Sequence, residues 1–393
     1  MARIDYLLVG GGLQNALVAA ALAERRPGAR VVLIESSERT GGNHLWCFHA
    51  LDVPEPCVPF VEPLVVRRWP KYRVRFPTYA RTLEEPYAAV SSGSVHEHLT
   101  RLAGDGRLEL MLGRVARRVE PGRVELASGE KLDAGVVVDA RGPERFAETA
   151  AIGYQKFFGL ELEAAPETVP AEPMLMDCSV EQLDGLRFVY VLPLARDRVL
   201  VEDTYFSDGP ELDVAALEGR ITSYAEKTGL AVRRVLRTER GVLPLPASAP
   251  VSTKQSAGLV RAGYQGGWFH PTTGYSFPLA VRVAAVVATA SEQELPDRLA
   301  ELATRTARQQ RFASLLNRML FRAFRPELRY VAFERFYRLP PETVRRFYAL
   351  SLTSSDRARI VCGRPPRGLS PRGLLSALAA GSRVINPHPR TNP

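Results

Sequence analysis

The sequence predicts an α/β fold in three parts: a βαβ domain assembled from separated segments, a mainly antiparallel sheet inserted between them, and a basic helical region at the C-terminus. Three observations carry this. Residues 4–9 form a short apolar run ending in Gly10-Gly11-Gly12; helical composition over 16–26, a Pro27-Gly28 turn and a second apolar run over 30–35 complete a βαβ unit. Residues 65–76 alternate in character and 188–205 are rich in β-branched and aromatic side chains, as a sheet favours. From Leu295 the apolar spacing becomes helical.

Two further apolar strands, 135–139 and 259–262, lie far along the chain; the first runs into Asp139-Ala140-Arg141-Gly142, the second into a glycine and aromatic loop. The parallel domain is therefore expected over 1–60, 90–150 and 255–295, and the inserted substrate sheet over 61–89 and 151–254. The basic helical region takes 296–380, and 381–393 reads as a disordered tail. A chain of 393 residues buries an adequate core without staples. Cys47, Cys57, Cys178 and Cys362 fall at no metal-ligand spacing and read as reduced thiols. His96 and His98, two apart on an expected helix, do not share a face, so no metal is expected. No Gly-x-Ser-x-Gly elbow for hydrolysis occurs.

The net charge of +9 points to an anionic partner: nucleic acid, a membrane surface or an acidic substrate. The charge is local. Residues 298–372 hold 17 arginines, no lysine and five acids, a net +12, which leaves the rest of the chain slightly negative. A helix over 311–325 gathers Arg311, Arg318, Arg322 and Arg325 in one sector, with Phe312, Leu316, Met319, Leu320 and Ala323 on the other side. Such a segment either packs on the domain with a solvated arginine face or docks on anionic lipid. No nucleic-acid-binding module accompanies it, so no nucleic-acid partner is expected. No run reaches the roughly 18 apolar residues that span a bilayer; the nearest, 277–290, is broken by Pro278 and Arg282. With no targeting segment recognisable before the first strand, a cytoplasmic protein at the membrane periphery is expected.

Gly10 and Gly12 permit a tight turn and close approach of backbone to a pyrophosphate at a helix N-terminus, the Rossmann-type arrangement. Asn15 stands where a third glycine is usual, so a side chain must be accommodated there. Glu35 closes the second strand 25 residues after Gly10, where an acid binds a ribose hydroxyl pair. Thr40-Gly41-Gly42-Asn43 follows, resembling the second glycine turn of flavin enzymes. A turn with no ligand, or a site for NAD alone, are the rivals.

Two further constellations suggest chemistry. Glu202 and Asp203 directly follow an apolar strand, and since neighbours on a strand face opposite sides, only one can enter a given cavity. Either they form a solvated acidic turn, or one is a carboxyl group whose pKa an apolar pocket raises until it acts as an acid. Residues 262–276 intersperse Gly263, Gly266, Gly267 and Gly274 with Tyr264, Trp268, Phe269, His270 and Tyr275. Glycines there let backbone approach a flat ring, and a helix starting after Thr273 aims N–H donors at it.

These residues carry a specific likeness. Leu8-Val9-Gly10-Gly11-Gly12-Leu13-Gln14-Asn15, Gly41-Gly42-Asn43-His44-Leu45-Trp46-Cys47-Phe48-His49, Val201-Glu202-Asp203-Thr204-Tyr205 and Phe269-His270-Pro271-Thr272-Thr273-Gly274-Tyr275-Ser276 together resemble the bacterial lycopene β-cyclases of the CrtY type. Phe188 to Leu194 and Leu316 to Phe321 extend the likeness nearly end to end. It departs at Ala140, where the family usually has Gly, and at Cys47, where Ser is common. The resemblance implies a glutathione-reductase-like flavoprotein fold and FAD, active when reduced, with NAD(P)H as reductant. It implies a redox-neutral, acid-catalysed closure of the ψ-ends of lycopene and related carotenoids, giving γ-carotene and then β-carotene. By carry-over, Glu202 is the acid with Asp203 as partner or alternate. Gly10, Gly12, Asn15, Glu35, Gly41, Gly42, Asp139 and Gly274 hold the cofactor, and Trp268, Phe269, His270 and Tyr275 steady a cation. The alternative is a flavin-dependent monooxygenase or desaturase acting on an apolar substrate. An arginine-rich nucleic-acid-binding protein is the non-enzyme alternative.

Overall fold

The computed structural model describes residues 3–142, 151–252, 254–362 and 365–379. Its first sheet is built around Ile4–Val9, which pairs in parallel with Val31–Ile34 on one side and Lys131–Asp139 on the other. Glu109–Met111 and Leu259–Arg261 extend the parallel array at its two flanks. The hairpin Ala116–Glu120 and Arg123–Leu126 pairs antiparallel with the first half of Lys131–Asp139, which is why that strand begins earlier than its purely apolar stretch suggests. Leu13–Arg25 is buried from Leu13 to Ala23, its alanines allowing close packing against Phe277–Thr289 on one face of the sheet. Val124 and Leu126 of the hairpin cover the other face.

The second sheet has seven strands in the order Val232–Pro246, Ala151–Ala164, Arg198–Ser207, Leu186–Pro193, Met174–Asp177, Tyr72–Phe76, Tyr79–Leu83. Every pairing is antiparallel except that of Met174–Asp177 with Tyr72–Phe76. The alternating stretch 65–76 does not form one strand. Pro70, which has no N–H to donate, bends the chain, so Val65–Trp69 joins Leu45–His49 and Tyr87–Ser91 in a separate small sheet. Helix Val214–Lys227 covers one face of the large sheet through Leu217, Ile221 and Ala225. The opposite face, with Phe188, Leu200 and Phe206, packs against Trp69, Tyr72 and Tyr87 and against Phe333, Tyr337 and Val344 of the C-terminal helices.

The C-terminal region opens with the 29-residue helix Leu295–Ala323, followed by Arg329–Tyr337, Pro341–Tyr348, Ser354–Val361 and Pro371–Ala379. Beyond Arg311, which stays exposed, the arginine sector read over 311–325 is not an open face. Arg318 donates to Ala377 O at 3.0 Å and Arg322 to Ser376 O at 3.0 Å, fastening helix Pro371–Ala379, while Arg325 pairs with Glu327. Carbonyls at a helix C-terminus lack intrahelical donors, and these guanidinium groups supply them. No helix among the described residues is long and apolar enough to cross a membrane. The segment 381–393 lies outside the described residues.

Candidate active site

The three scattered segments converge at the carboxyl ends of the parallel strands. Ala140 N–H donates to Val9 O at 2.9 Å and Ala262 N–H to Asp139 O at 2.8 Å, so the turns after all three strands adjoin. Gly10 adopts φ +93°, and a Cβ there would lie 3.0 Å from Ala140 O; only glycine fits. Gly12 caps helix Leu13–Arg25 without a side-chain hydrogen bond, and nothing lies within 4 Å of where its Cβ would be. Helix Phe277–Thr289 likewise begins with no side-chain cap and no acid in its first turn. Two uncapped helix N-termini thus offer backbone donors to negative charge. Glu35 accepts from Gly11 N–H at 2.6 Å and from Ser37 N–H at 2.9 Å, which seats its carboxylate beside the glycine turn. Gly41 at φ +87° sits where a Cβ would be 2.5 Å from Ser92 O. An open turn, an adjacent acid and uncapped donors are a donor set that fits a dinucleotide.

Some predicted cofactor residues act differently from a direct contact. Asn15 is fully buried beneath the turn, its Nδ2 donating to Val9 O at 3.0 Å and Gly10 O at 2.9 Å, so it braces the turn from below. Asp139 is buried and clamped by Arg141 at 2.9 Å. Gly274, at φ +65°, closes the aromatic loop by donating to His270 O at 2.9 Å.

The acid site is set by strand register. Glu239, Gly159, Glu202 and Tyr190 lie directly opposite one another across four strands, on one face. Gly159 has no side chain, and a Cβ there would fall 3.2 Å from Glu239 Cγ and 3.3 Å from Glu202 Cβ; its absence lets the two carboxyl groups meet. Glu202 is buried, with Oε1 accepting from Thr204 Oγ1 at 2.8 Å. Burial first, and the charge of Glu239 second, push its carboxyl well above the ordinary carboxylate range. Burial also raises Glu239, but Arg237 opposes it: the guanidinium lies 3.1 Å from Glu239 Oε2, near enough for an ion pair though not aligned as a hydrogen bond. Arg237 also bridges to Glu161 at 3.0 Å and to Asn43 Oδ1 at 2.7 Å, while Asn43 Nδ2 donates to Thr238 O at 2.7 Å. The second glycine turn is thereby tied to the strand that carries Glu239.

Asp203 is on the other face. It is fully buried, paired with Arg187 at 2.8 Å and accepting from Tyr205 Oη at 2.8 Å, on the side covered by helix Val214–Lys227. The alternation of the strand thus places Asp203, expected as partner or alternate acid, away from Glu202; the carboxyl group beside Glu202 on its own face is that of Glu239.

The aromatic loop divides its roles. Trp268 is 1 % exposed within the core of the parallel domain, its Nε1 donating to Arg261 O at 3.0 Å. His270 has no exposure; its Nδ1 accepts from Thr272 N–H at 3.1 Å, which leaves Nε2 as the donor to Phe347 O at 3.0 Å. Burial lowers its pKa to about 3, so the ring is neutral with both nitrogens engaged inside the protein. Phe269 stacks on Tyr264 with ring centroids 4.4 Å apart. Gln310 and Asn317 of the long helix hold the loop, donating to Gly267 O, Phe269 O and Pro271 O at 2.8, 2.9 and 2.9 Å. Of the four residues expected to steady a cation, His270 meets Phe347 with ring centroids 4.5 Å apart, and Tyr275 is tied to the ring cluster beside the small sheet. Its hydroxyl contacts Asp52 Oδ2 at 3.2 Å and accepts from His49 N–H at 3.1 Å, and its ring meets Tyr348 edge-on at 6.2 Å.

Several residues escaped the sequence. His49 packs among Tyr72, Tyr87, Tyr275 and Tyr348, with Nδ1 buried and unpartnered, and burial lowers it to about 3. Asp52 Oδ1 is also buried without a partner, and burial raises that carboxyl to about 7. The Cys47 thiol, pushed up by burial and by Glu239 and Glu202, faces the acid pair. Glu239 sits in Arg237-Thr238-Glu239-Arg240, which reads as a solvated charged run; only pairing register reveals it.

The family model described as lycopene cyclase protein matches residues 5–372. A lycopene β-cyclase from Pseudescherichia vulneris is 40 % identical over 367 residues, covering 92 % of this chain and 94 % of that one. Another from Pantoea ananas is 38 % identical over 390 residues, covering 98 % of each. Among solved structures, a probable FAD-dependent monooxygenase (pqsL) from Pseudomonas aeruginosa aligns with a TM-score of 0.61 at 18 % identity, over 84 % of this chain and 98 % of its own. A geranylgeranyl bacteriochlorophyll reductase-like protein from Thermoplasma acidophilum aligns with a TM-score of 0.61 at 15 % identity, over 95 % of each chain. These two likenesses show the α/β fold alone and leave the chemistry to the closer relatives. With the family match running from the first strand to the last helix, the chain belongs to the lycopene cyclase family.

Proposed function

We propose that this enzyme closes the linear ψ-ends of lycopene to β-ionone rings by acid catalysis, with Glu202 as the proton donor. The observation that supports it most is the buried Glu202–Glu239 pair, brought together across Gly159 on the face walled by Tyr190 and the ring cluster. Two carboxyl groups in contact cannot both ionise in a buried site, so the pair holds one proton near neutrality. Arg237 favours the charge on Glu239, which leaves the proton on Glu202.

Glu202 delivers that proton to the terminal alkene, forming a new C–H bond and a tertiary cation. The next double bond attacks the cation and closes the ring, and loss of a proton restores an alkene. One proton enters and one leaves; no electrons are consumed. The buried rings of Tyr72 and Tyr87, with the half-buried Tyr190, exclude the water that would trap the cation as an alcohol. Each aromatic face that a cation meets adds roughly 0.5–2 kcal/mol. The turn at Gly10–Gly12, Glu35, Gly41 and the N-terminus of Phe277–Thr289 would hold FAD, which in its reduced, anionic form supplies negative potential beside the cation. NAD(P)H is the proposed reductant, and ψ-ended relatives of lycopene are the further substrates. Because the substrate is a bilayer hydrocarbon, the enzyme works at the membrane periphery on the cytoplasmic side.

The test is pigment analysis of lycopene-accumulating cells expressing the parent chain or Glu202→Gln. Cyclic products of unchanged mass from the parent, and none from a variant that still purifies with flavin, are expected. Full cyclisation by the variant removes Glu202 from the mechanism. Products heavier by one oxygen or lighter by two hydrogens would establish the oxygenase or desaturase alternative instead.

A further inference from the structure

A groove of about 1340 Å³ lies on the outer side of helix Phe277–Thr289, between it, the long helix Leu295–Ala323 and residues 350–357. It exceeds the roughly 300–1,000 Å³ of pockets that hold drug-sized ligands. Seven arginines and no carboxylate line it. Arg305 pairs with Glu301 at 3.3 Å, but Arg282, Arg298, Arg308, Arg311 and Arg357 have no ion pair among the described residues, although ion pairs are common elsewhere on the surface. Arg357 is held over the ring of Phe312 at 5.6 Å, and its Nε–H is buried with no hydrogen-bond partner. Arg282 donates to Ala349 O at 3.0 Å and is otherwise lined up with the groove. Between the cations the wall carries an apolar strip, Val286, Leu302, Phe312 and Leu315, edged by hydroxyl side chains such as Thr306 and Ser351.

Unpaired guanidinium groups beside apolar side chains match one kind of ligand, an anionic amphiphile. Guanidinium recognises phosphate oxygens in bidentate fashion, and the apolar wall receives the adjoining chain. The segment 380–393 of this chain is excluded by its own charge, since it carries two arginines and no acid. We infer that this groove docks the enzyme on membranes by taking the phosphate headgroup and upper acyl chain of an anionic phospholipid. The inference rests on the reading of the substrate as a bilayer hydrocarbon. It moves the docking site away from Arg318, Arg322 and Arg325, which the fold consumes internally, toward the N-terminal part of the same helix, where Arg311 of that sector joins Arg298 and Arg308.

Flotation of the full-length protein with vesicles tests it. Phosphatidylcholine vesicles with and without phosphatidylglycerol are compared for the parent, for Arg308→Glu with Arg311→Glu, and for Arg117→Glu with Arg118→Glu on the exposed hairpin as a control of equal charge. Each arginine near an anionic surface contributes roughly fivefold, so the groove variant should lose at least about 30-fold in partitioning to the anionic vesicles while the hairpin variant stays near the parent. Equal losses in both variants, or no flotation of the parent, overturn the proposal. Complete displacement by millimolar glycerol phosphate would identify a free-phosphate site, and displacement by duplex DNA a nucleic-acid site; either overturns it as well. Turnover is read separately with lycopene in detergent micelles. A chain that floats but makes no cyclic product refutes the cyclase mechanism alone, and one that cyclises from micelles but never floats refutes the groove alone.

Discussion

Replacing Glu239 with Gln tests whether the acid pair sets the working pH of the enzyme. The substitution removes the like charge that Glu202 meets across Gly159 and puts an amide in its place. Two unit charges about 4 Å apart interact by roughly 4 kcal/mol at an effective dielectric near 20, equivalent to about three pKa units at 1.36 kcal/mol each. Arg237, 3.1 Å from Glu239 Oε2, already neutralises part of that charge. We therefore expect the Glu202 pKa to fall by roughly one to two units. The Gln amide, able to donate to an ionised Glu202, pushes in the same direction.

The sign follows from the role of the group. Glu202 must be protonated to act, so activity declines as pH rises through its pKa, and a lower pKa moves that decline toward acid. Rates measured from pH 5.5 to 9 with micellar lycopene should show the alkaline limb displaced by about one to two units. At pH 8 the variant should be roughly 10- to 100-fold slower than the parent, recovering to within a few-fold at the acid plateau. An unmoved limb, or one displaced to higher pH, refutes the pairing. A uniform loss at every pH, with flavin retained, would make Glu239 a proton carrier in its own right and not a residue that tunes Glu202.

Three other perturbations separate stability from catalysis. Glu202→Gln should be more stable than the parent at pH 8–9, because a folded-state pKa raised by burial makes stability fall as pH climbs from the unfolded value toward the folded one. Each unit of that shift adds about 1.4 kcal/mol to the difference, and thermal melts across pH should show the gap closing below about pH 4. Asp203→Ala leaves Arg187 buried without its partner and should cost about 3–5 kcal/mol. The folded fraction should keep the parent's pH profile, and loss of turnover in well-folded protein would return Asp203 to the chemistry. Asn15→Ala removes the bonds beneath Gly10 and should lower stability by roughly 1–3 kcal/mol. A drop in flavin content per mole should accompany it, whereas unchanged absorbance at full stability would show that the turn needs no such brace.

The parts of the site legible in the sequence are those built by consecutive residues. Gly10 and Gly12 follow a strand and precede a helix within one short segment, so their conformation is a local matter. Glu202 is visible for the same reason: an apolar strand leads into it, and strand alternation warns that Asp203 points elsewhere. Glu239 and Gly159 could not be found this way. Their meaning comes from pairings across 43 and 80 residues of chain, and a charged run reads as solvated surface until register places it inside. The aromatic loop shows a second job that density alone hides. Its rings suggest a binding surface, and Trp268 and His270 also hold the loop, because a buried loop must satisfy its polar groups internally.

Which carboxyl carries the proton depends on an arginine that the parallel domain holds in place. Arg237 is fixed by Asn43, and Asn43 belongs to the turn whose Gly41 N–H bonds Gly11 O at 2.8 Å beside the first glycine turn. Glu35 touches the same turn through Gly11. A ligand settling against these glycines therefore presses on a chain of direct contacts that ends at Glu239. If the turn shifts, Arg237 loses its Asn43 anchor, the charge on Glu239 is less well compensated, and the proton is shared more evenly. The acid is then best poised when the cofactor crevice is correctly ordered. That arrangement would keep a protonated carboxyl from acting on a polyene before the groups that steady the resulting cation are in position, which matters more for a carbocation than for any intermediate that water leaves unharmed.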